Sequence, residues 1–64
     1  MSETSSVIKL LLTAREAATA LSISERKLWE LTNRNLIRSV RIGRSVRYDI
    51  RDLEAFIAVQ KGGA

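Results

Sequence analysis

Six arginines recur every three or four residues between Arg34 and Arg51, at Arg34, Arg38, Arg41, Arg44, Arg47 and Arg51, with Asp49 the one acid among them. A guanidinium group is permanently charged, and its planar fork of donors matches phosphate oxygens. The 64-residue chain has eleven basic and seven acidic residues, a net charge of +4. The arginine stretch alone has an excess of five positive charges, and the remainder, with five basic and six acidic residues, is one charge negative. The excess charge is therefore concentrated, and it favours a polyanion partner, because each neutralised phosphate releases counterions. The plain alternative is a solvated basic face. Other chemistry is excluded by composition. Cysteine and histidine are absent, which removes thiol nucleophiles, imidazole acid–base catalysis, disulfides and the usual zinc sites. No metal, no cofactor and no enzyme activity are expected.

These arginines need a scaffold, and the chain is short for one. A domain near 60 residues buries only about 60% of the surface its unfolded chain exposes, so apolar packing must hold it with little to spare. A hydrophobic fraction of 45% against 28% charged suits a globular domain rather than a disordered tail. The boundaries expected are a flexible N-terminal arm at 1–9, a folded domain at 10–60 and a loose C-terminal end at 61–64. Leu10-Leu11-Leu12 is too short for a signal sequence, and no segment approaches the roughly 20 apolar residues of a membrane span. No membrane partner and a cytoplasmic, nucleoid-associated location are therefore expected.

Punctuation and periodicity divide the domain. Thr13 and Glu16 have the spacing of a capping box, with Leu12 as a hydrophobic staple. Ala14, Ala17, Ala18 and Leu21 form one apolar stripe of a first helix. Ser24 caps a second helix, with Glu25 in its first turn, Leu28 and Leu31 facing inward, and Asn35 suited to a left-handed terminal residue. Arg26, Trp29, Glu30, Asn33 and Arg34 lie mainly on the opposite side. From Ser39 to Tyr48 the period changes to two, which predicts a hairpin turning at Gly43-Arg44-Ser45, apolar on one face and arginine on the other. Asp49 caps a third helix, with Asp52 also assigned to capping and Ile50, Leu53, Phe56 and Ile57 as the inward stripe. The order helix, helix, hairpin, helix is mainly α with a β-hairpin wing. Ala14 to Asn33 reads as a helix-turn-helix, with the small Ala18 at the crossing, a turn at Ser22-Ile23-Ser24 and the buried Leu28. Ser22 stands where such turns commonly have glycine.

A helix-turn-helix followed by an arginine-lined hairpin makes a winged helix-turn-helix. Leu11-Leu12-Thr13, Glu16-Ala17-Ala18, Leu21 and Ser24, then Val40-Arg41-Ile42-Gly43-Arg44, Arg47 and Asp52-Leu53-Glu54-Ala55-Phe56-Ile57, resemble the excisionase-type, MerR-like winged helix-turn-helix module. The resemblance runs from about Leu10 to Ile57. It implies double-stranded DNA as partner, and a role as a recombination directionality factor for an integrase or as a small transcriptional regulator. It also implies alignment of several copies on repeated sites. The family's recognition-helix contacts fall on Ser24, Arg26, Lys27, Trp29, Glu30 and Asn33, and the wing contacts on Arg41, Gly43, Arg44 and Arg47. Glu30 departs from the family, standing where a basic residue is common; it can accept from a cytosine amino group or pair with Arg26 or Arg34. Asn35 and Arg38 replace the common glycine and proline before the wing. Trp29 reads equally as a packing residue and as an indole donor to phosphate. The rival from another class is an adaptor that recruits an integrase or polymerase through its basic face. RNA binding is disfavoured by having only three aromatic residues, and a membrane-surface role by charge that lies on a hairpin.

Overall fold

Residues 10–62 are described by the computed structural model. The arm expected at 1–9, and residues 63–64 of the expected C-terminal end, lie outside the described residues. The elements run β1 (Leu11–Thr13), α1 (Ala14–Leu21), α2 (Glu25–Asn33), β2 (Val40–Ile42), β3 (Ser45–Asp49) and α3 (Ile50–Gln60). This is a winged helix-turn-helix.

Each helix starts as its sequence dictates. The Thr13 hydroxyl accepts from the Glu16 N–H at 3.1 Å, and the Glu16 carboxylate accepts from the Thr13 N–H at 3.0 Å, a complete capping box. Ser24 accepts from the Lys27 N–H at 3.0 Å, and Asp49 from the Arg51 N–H at 2.8 Å. Asp52 stands in the first turn of α3, where the helix dipole favours an acid.

The ends of α1 and α2 share a device. Ser22 N–H donates to the Thr19 carbonyl and Ile23 N–H to the Ala18 carbonyl; Asn35 N–H donates to Thr32 and Leu36 N–H to Leu31, each at 3.0 Å. This paired pattern is the Schellman motif, which needs a left-handed residue at its pivot. Ser22 (φ 60°) and Asn35 (φ 61°) fill the pivots without glycine.

The sheet differs from expectation in two ways. Besides the hairpin it has a third strand, giving the order β1-β3-β2 with both pairings antiparallel. Leu11 lies opposite Asp49 and Leu12 opposite Tyr48. Three residues are too few to show a period of two, and the pairing partner is far along the chain. The hairpin register also corrects the expected faces. Its loop is the two residues Gly43 and Arg44, with Ile42 opposite Ser45, Arg41 opposite Val46 and Val40 opposite Arg47. Shortening the loop from three residues to two slips the register by one, which exchanges the faces of one strand relative to the other. Val40 thus shares a face with Arg47, and Arg41 shares the opposite face with Val46 and Tyr48. Glycine at the first of two loop positions with φ +61° is the type II′ arrangement.

The core is Ala17, Ala18, Leu28, Leu31, Ile37, Tyr48 and Leu53, with Leu12, Ala14, Leu21, Ile23, Val46 and Phe56 packed around it. α1 lies at the centre, against α2, β1, β3 and α3. The stripe expected of α3 is only half right: Leu53 is buried, but Ile50 and Ile57 are 41% and 42% exposed. Ile37 was not foreseen because it lies in the irregular link between α2 and β2, outside any periodic run.

Candidate nucleic-acid interface

Ser24 opens α2 and begins the candidate surface. With about 100° of rotation per residue, Arg26, Glu30 and Asn33 fall in one sector opposite Leu28 and Leu31. Trp29 lies on one flank of that sector, and Lys27 and Arg34 lie on the other. All six are exposed, as is Ser24. Trp29 is 51% exposed, so its ring is not a core packing residue. Glu30 takes neither arginine partner expected for it; its carboxylate lies 3.9 Å from the Lys27 ammonium, one turn back. An exposed pair at that distance adds little to stability, and it leaves Arg26 and Arg34 open to other partners.

The wing supplies the second part. Arg44 is exposed at the second loop position, and exposed Gly43 beside it has no atom within 4 Å of where a Cβ would stand. Its glycine is therefore needed for the positive φ, not to avoid an internal clash. Arg41 is exposed on the sheet face that packs on the helices. Arg47 is half-buried on the other face, where its Nη1 donates to the Val46 carbonyl at 2.9 Å. The wing arginines accordingly leave the hairpin in three directions and do not form one stripe.

Two features were not singled out from the sequence. Arg38, exposed in the link before β2, lines an open cleft of about 460 Å³ with Thr32, Asn35, Ile37 and Ser39. The three-to-four-residue arginine recurrence includes it, but the family's contact positions do not. The second feature is a hydrogen bond of 2.8 Å between the hydroxyls of Thr32 in α2 and Tyr48 in β3. Periodicity marks Tyr48 as core but cannot show where its hydroxyl goes. At the base of the wing, Arg51 pairs with Asp49 at 3.5 Å. The Arg51 backbone N–H is the main cause that holds the Asp49 carboxyl below the usual aspartate value; desolvation opposes it, and the Arg51 guanidinium adds a lesser lowering effect.

Residues 11–61 match the family model described as a helix-turn-helix domain. The chain belongs to this helix-turn-helix family. Membership covers every element from β1 to the end of α3, and it makes DNA the partner of the domain. Comparison with curated proteins and with solved structures gives no match. Among the described residues of the helix-turn-helix domain, no helix is long and apolar enough to cross a membrane, and no cluster of acidic, histidine or cysteine side chains could hold a metal ion.

Proposed function

We propose that the domain binds double-stranded DNA in a sequence-specific manner, without catalysis, as an excisionase-like recombination directionality factor. α2 enters the major groove, where Arg26, Lys27, Glu30 and Asn33 meet base edges, and Ser24 and Trp29 meet the backbone. Gly43 lets the hairpin tip approach the duplex, and Arg44 enters the adjacent minor groove. Arg41 and Arg47, leaving opposite faces of the hairpin, reach phosphates on either side of that groove. The observation that carries this reading is the two-sidedness of α2: Leu28 and Leu31 seal one side, while the other exposes an unbroken polar sector, in a domain whose hairpin is tipped by the exposed Arg44.

One such module covers roughly 600–1,000 Å² of protein surface on DNA. Modest affinity per copy makes adjacent copies on repeated sites, or an integrase partner, the natural source of specificity. The resemblance to excisionase-type modules is compatible with this recombination role, and a small transcriptional regulator of the same fold is the alternative within the family. The cytoplasm, at the nucleoid, is the location that follows. An adaptor that recruits an integrase or polymerase is the second reading; exposed Leu36 and Val59, which line a groove with Phe56, favour it.

The test is fluorescence anisotropy with a mixed-sequence duplex at several salt concentrations. Four to six phosphate contacts give a log–log salt slope of about −4 to −5. Arg44→Ala should weaken binding to every duplex and flatten the slope by about 1. Arg26→Ala and Asn33→Ala should instead narrow the gap between a selected site and random DNA. Absence of binding at low salt would overturn the DNA reading in favour of the adaptor.

A further inference from the structure

Tyr48 and Leu28 are the largest fully buried side chains of the domain, and Tyr48 also has a polar end. Its hydroxyl lies 2.8 Å from the Thr32 hydroxyl, which in turn donates to the Leu28 carbonyl at 2.9 Å. A hydroxyl has one proton to give. Thr32 has given its proton to Leu28, so Tyr48 is the donor to Thr32. The direction is fixed along the whole chain, from β3 through the Thr32 side chain to the backbone of α2.

The place of this hydrogen-bonded relay in the fold bears on its use. α2 packs chiefly on α1, while β3 is held between β1 and β2. The Tyr48–Thr32 bond ties α2 directly to the strand that forms one arm of the wing. Thr32 immediately precedes Asn33, and Tyr48 immediately follows Arg47, so the bond joins the candidate base-reading surface to the candidate backbone-holding one. Apolar packing alone resists sliding weakly because it is non-directional. A hydrogen bond has preferred distances and angles, and it fixes the spacing and rotation of the elements it joins.

We propose that the Tyr48 hydroxyl is a positioning group: bound to Thr32, it sets α2 against the wing so that both engage one duplex together. This inference rests on the DNA reading above. Contacts made by α2 and by the wing are then energetically coupled, and removing the bond uncouples them while leaving each surface intact.

The variants are Tyr48→Phe, Thr32→Val, Thr32→Ser and the double variant Tyr48→Phe/Thr32→Val. The double variant removes both partners and leaves no buried hydroxyl without an acceptor, so it keeps the fold even where Thr32→Val alone does not. Circular dichroism and thermal melting establish folding. Binding is read by anisotropy on a fluorescent duplex that the wild-type chain selects from a randomised pool, with a mixed-sequence duplex as control. Arg26→Ala, Arg44→Ala and their combination are measured in the wild-type and double-variant backgrounds.

The expected result is a folded double variant with about tenfold weaker binding to the selected duplex, and an Arg26–Arg44 coupling that is present in the wild type and lost with the bond. Thr32→Ser, which keeps the hydroxyl, should retain wild-type affinity. A folded double variant with wild-type affinity and wild-type coupling would overturn the positioning role and leave the hydrogen bond as core structure. Failure of the wild-type chain to bind any duplex would overturn the DNA reading itself, and the positioning role with it.

Discussion

Replacing Ser22 by glycine should stabilise the domain, although it removes a side chain and adds backbone freedom. Ser22 is the pivot between α1 and α2, with φ 60° and ψ 38°. An L-residue in that left-handed region costs about 1–2 kcal/mol, which glycine does not incur. Against this, glycine gives the unfolded chain more freedom, at a cost of about 0.5–1 kcal/mol. Ser22 is exposed, so no packing is lost. The net gain is centred on about 0.75 kcal/mol and reaches at most about 1.5 kcal/mol; the central value raises Tm by roughly 3–6 °C in a domain of this size. Asn35→Gly is the control: it changes a residue with nearly the same φ of 61°, but asparagine visits that region readily, so its gain should be smaller. Thermal melts followed by far-ultraviolet circular dichroism measure both. DNA affinity well below Tm should be unchanged, because the turn keeps its geometry. A Tm for Ser22→Gly at or below that of the wild type would refute the claim that this turn stores backbone strain.

Leu28→Ala removes the one leucine with no exposed surface, and should cost about 2–5 kcal/mol. A 64-residue domain has only about 3–10 kcal/mol in total, so urea melts should show a largely unfolded or barely folded variant. Gly43→Ala meets no atom within 4 Å but puts an L-residue at φ +61°, so it should lower stability by about 1–2 kcal/mol, read in Tm, together with weaker DNA binding, read by anisotropy. The folded-state pKa of Asp49 is lowered, so its contribution is present above the ordinary aspartate value and lost as pH falls through the lowered one. Melting temperatures measured across that acidic window should fall for the wild type and fall less for Asp49→Asn. Arg41→Ala and Arg47→Ala should each lower the salt slope, and the pair should do so additively, because the two side chains leave opposite faces of the hairpin.

Much of this protein was legible without its coordinates because the signals are local. The capping box at Thr13 and Glu16, the caps at Ser24 and Asp49, and the left-handed Asn35 involve residues at most five positions apart, and each forms as its spacing predicts. The helical stripe of α2 was equally plain, since Leu28 and Leu31 mark the inward side and leave Arg26, Glu30 and Asn33 to the outside. Concentrated charge, and the absence of cysteine and histidine, pointed to a polyanion partner and away from the usual reactive side chains. These features depend on residue type and short-range periodicity, which a single sequence contains in full.

What tertiary structure decided depends on which distant residues meet. β1 exists because Leu11, Leu12 and Thr13 find β3, and three residues have no periodicity of their own to announce it. The hairpin loop could have two residues or three. Pairing settled it at two, and that one-residue slip placed Arg41 and Arg47 on opposite faces instead of one. Ile37 became core because the link before β2 folds over the helices, while Ile50 and Ile57 remained partly exposed because, among the described residues, no element covers that flank of α3. Above all, the bond from Tyr48 to Thr32 joins residues sixteen positions apart. Sequence determined that the domain would have a second helix with a polar outer side and a basic wing; the fold alone determined how the two are held together, because their relative placement is set by long-range packing and hydrogen bonding.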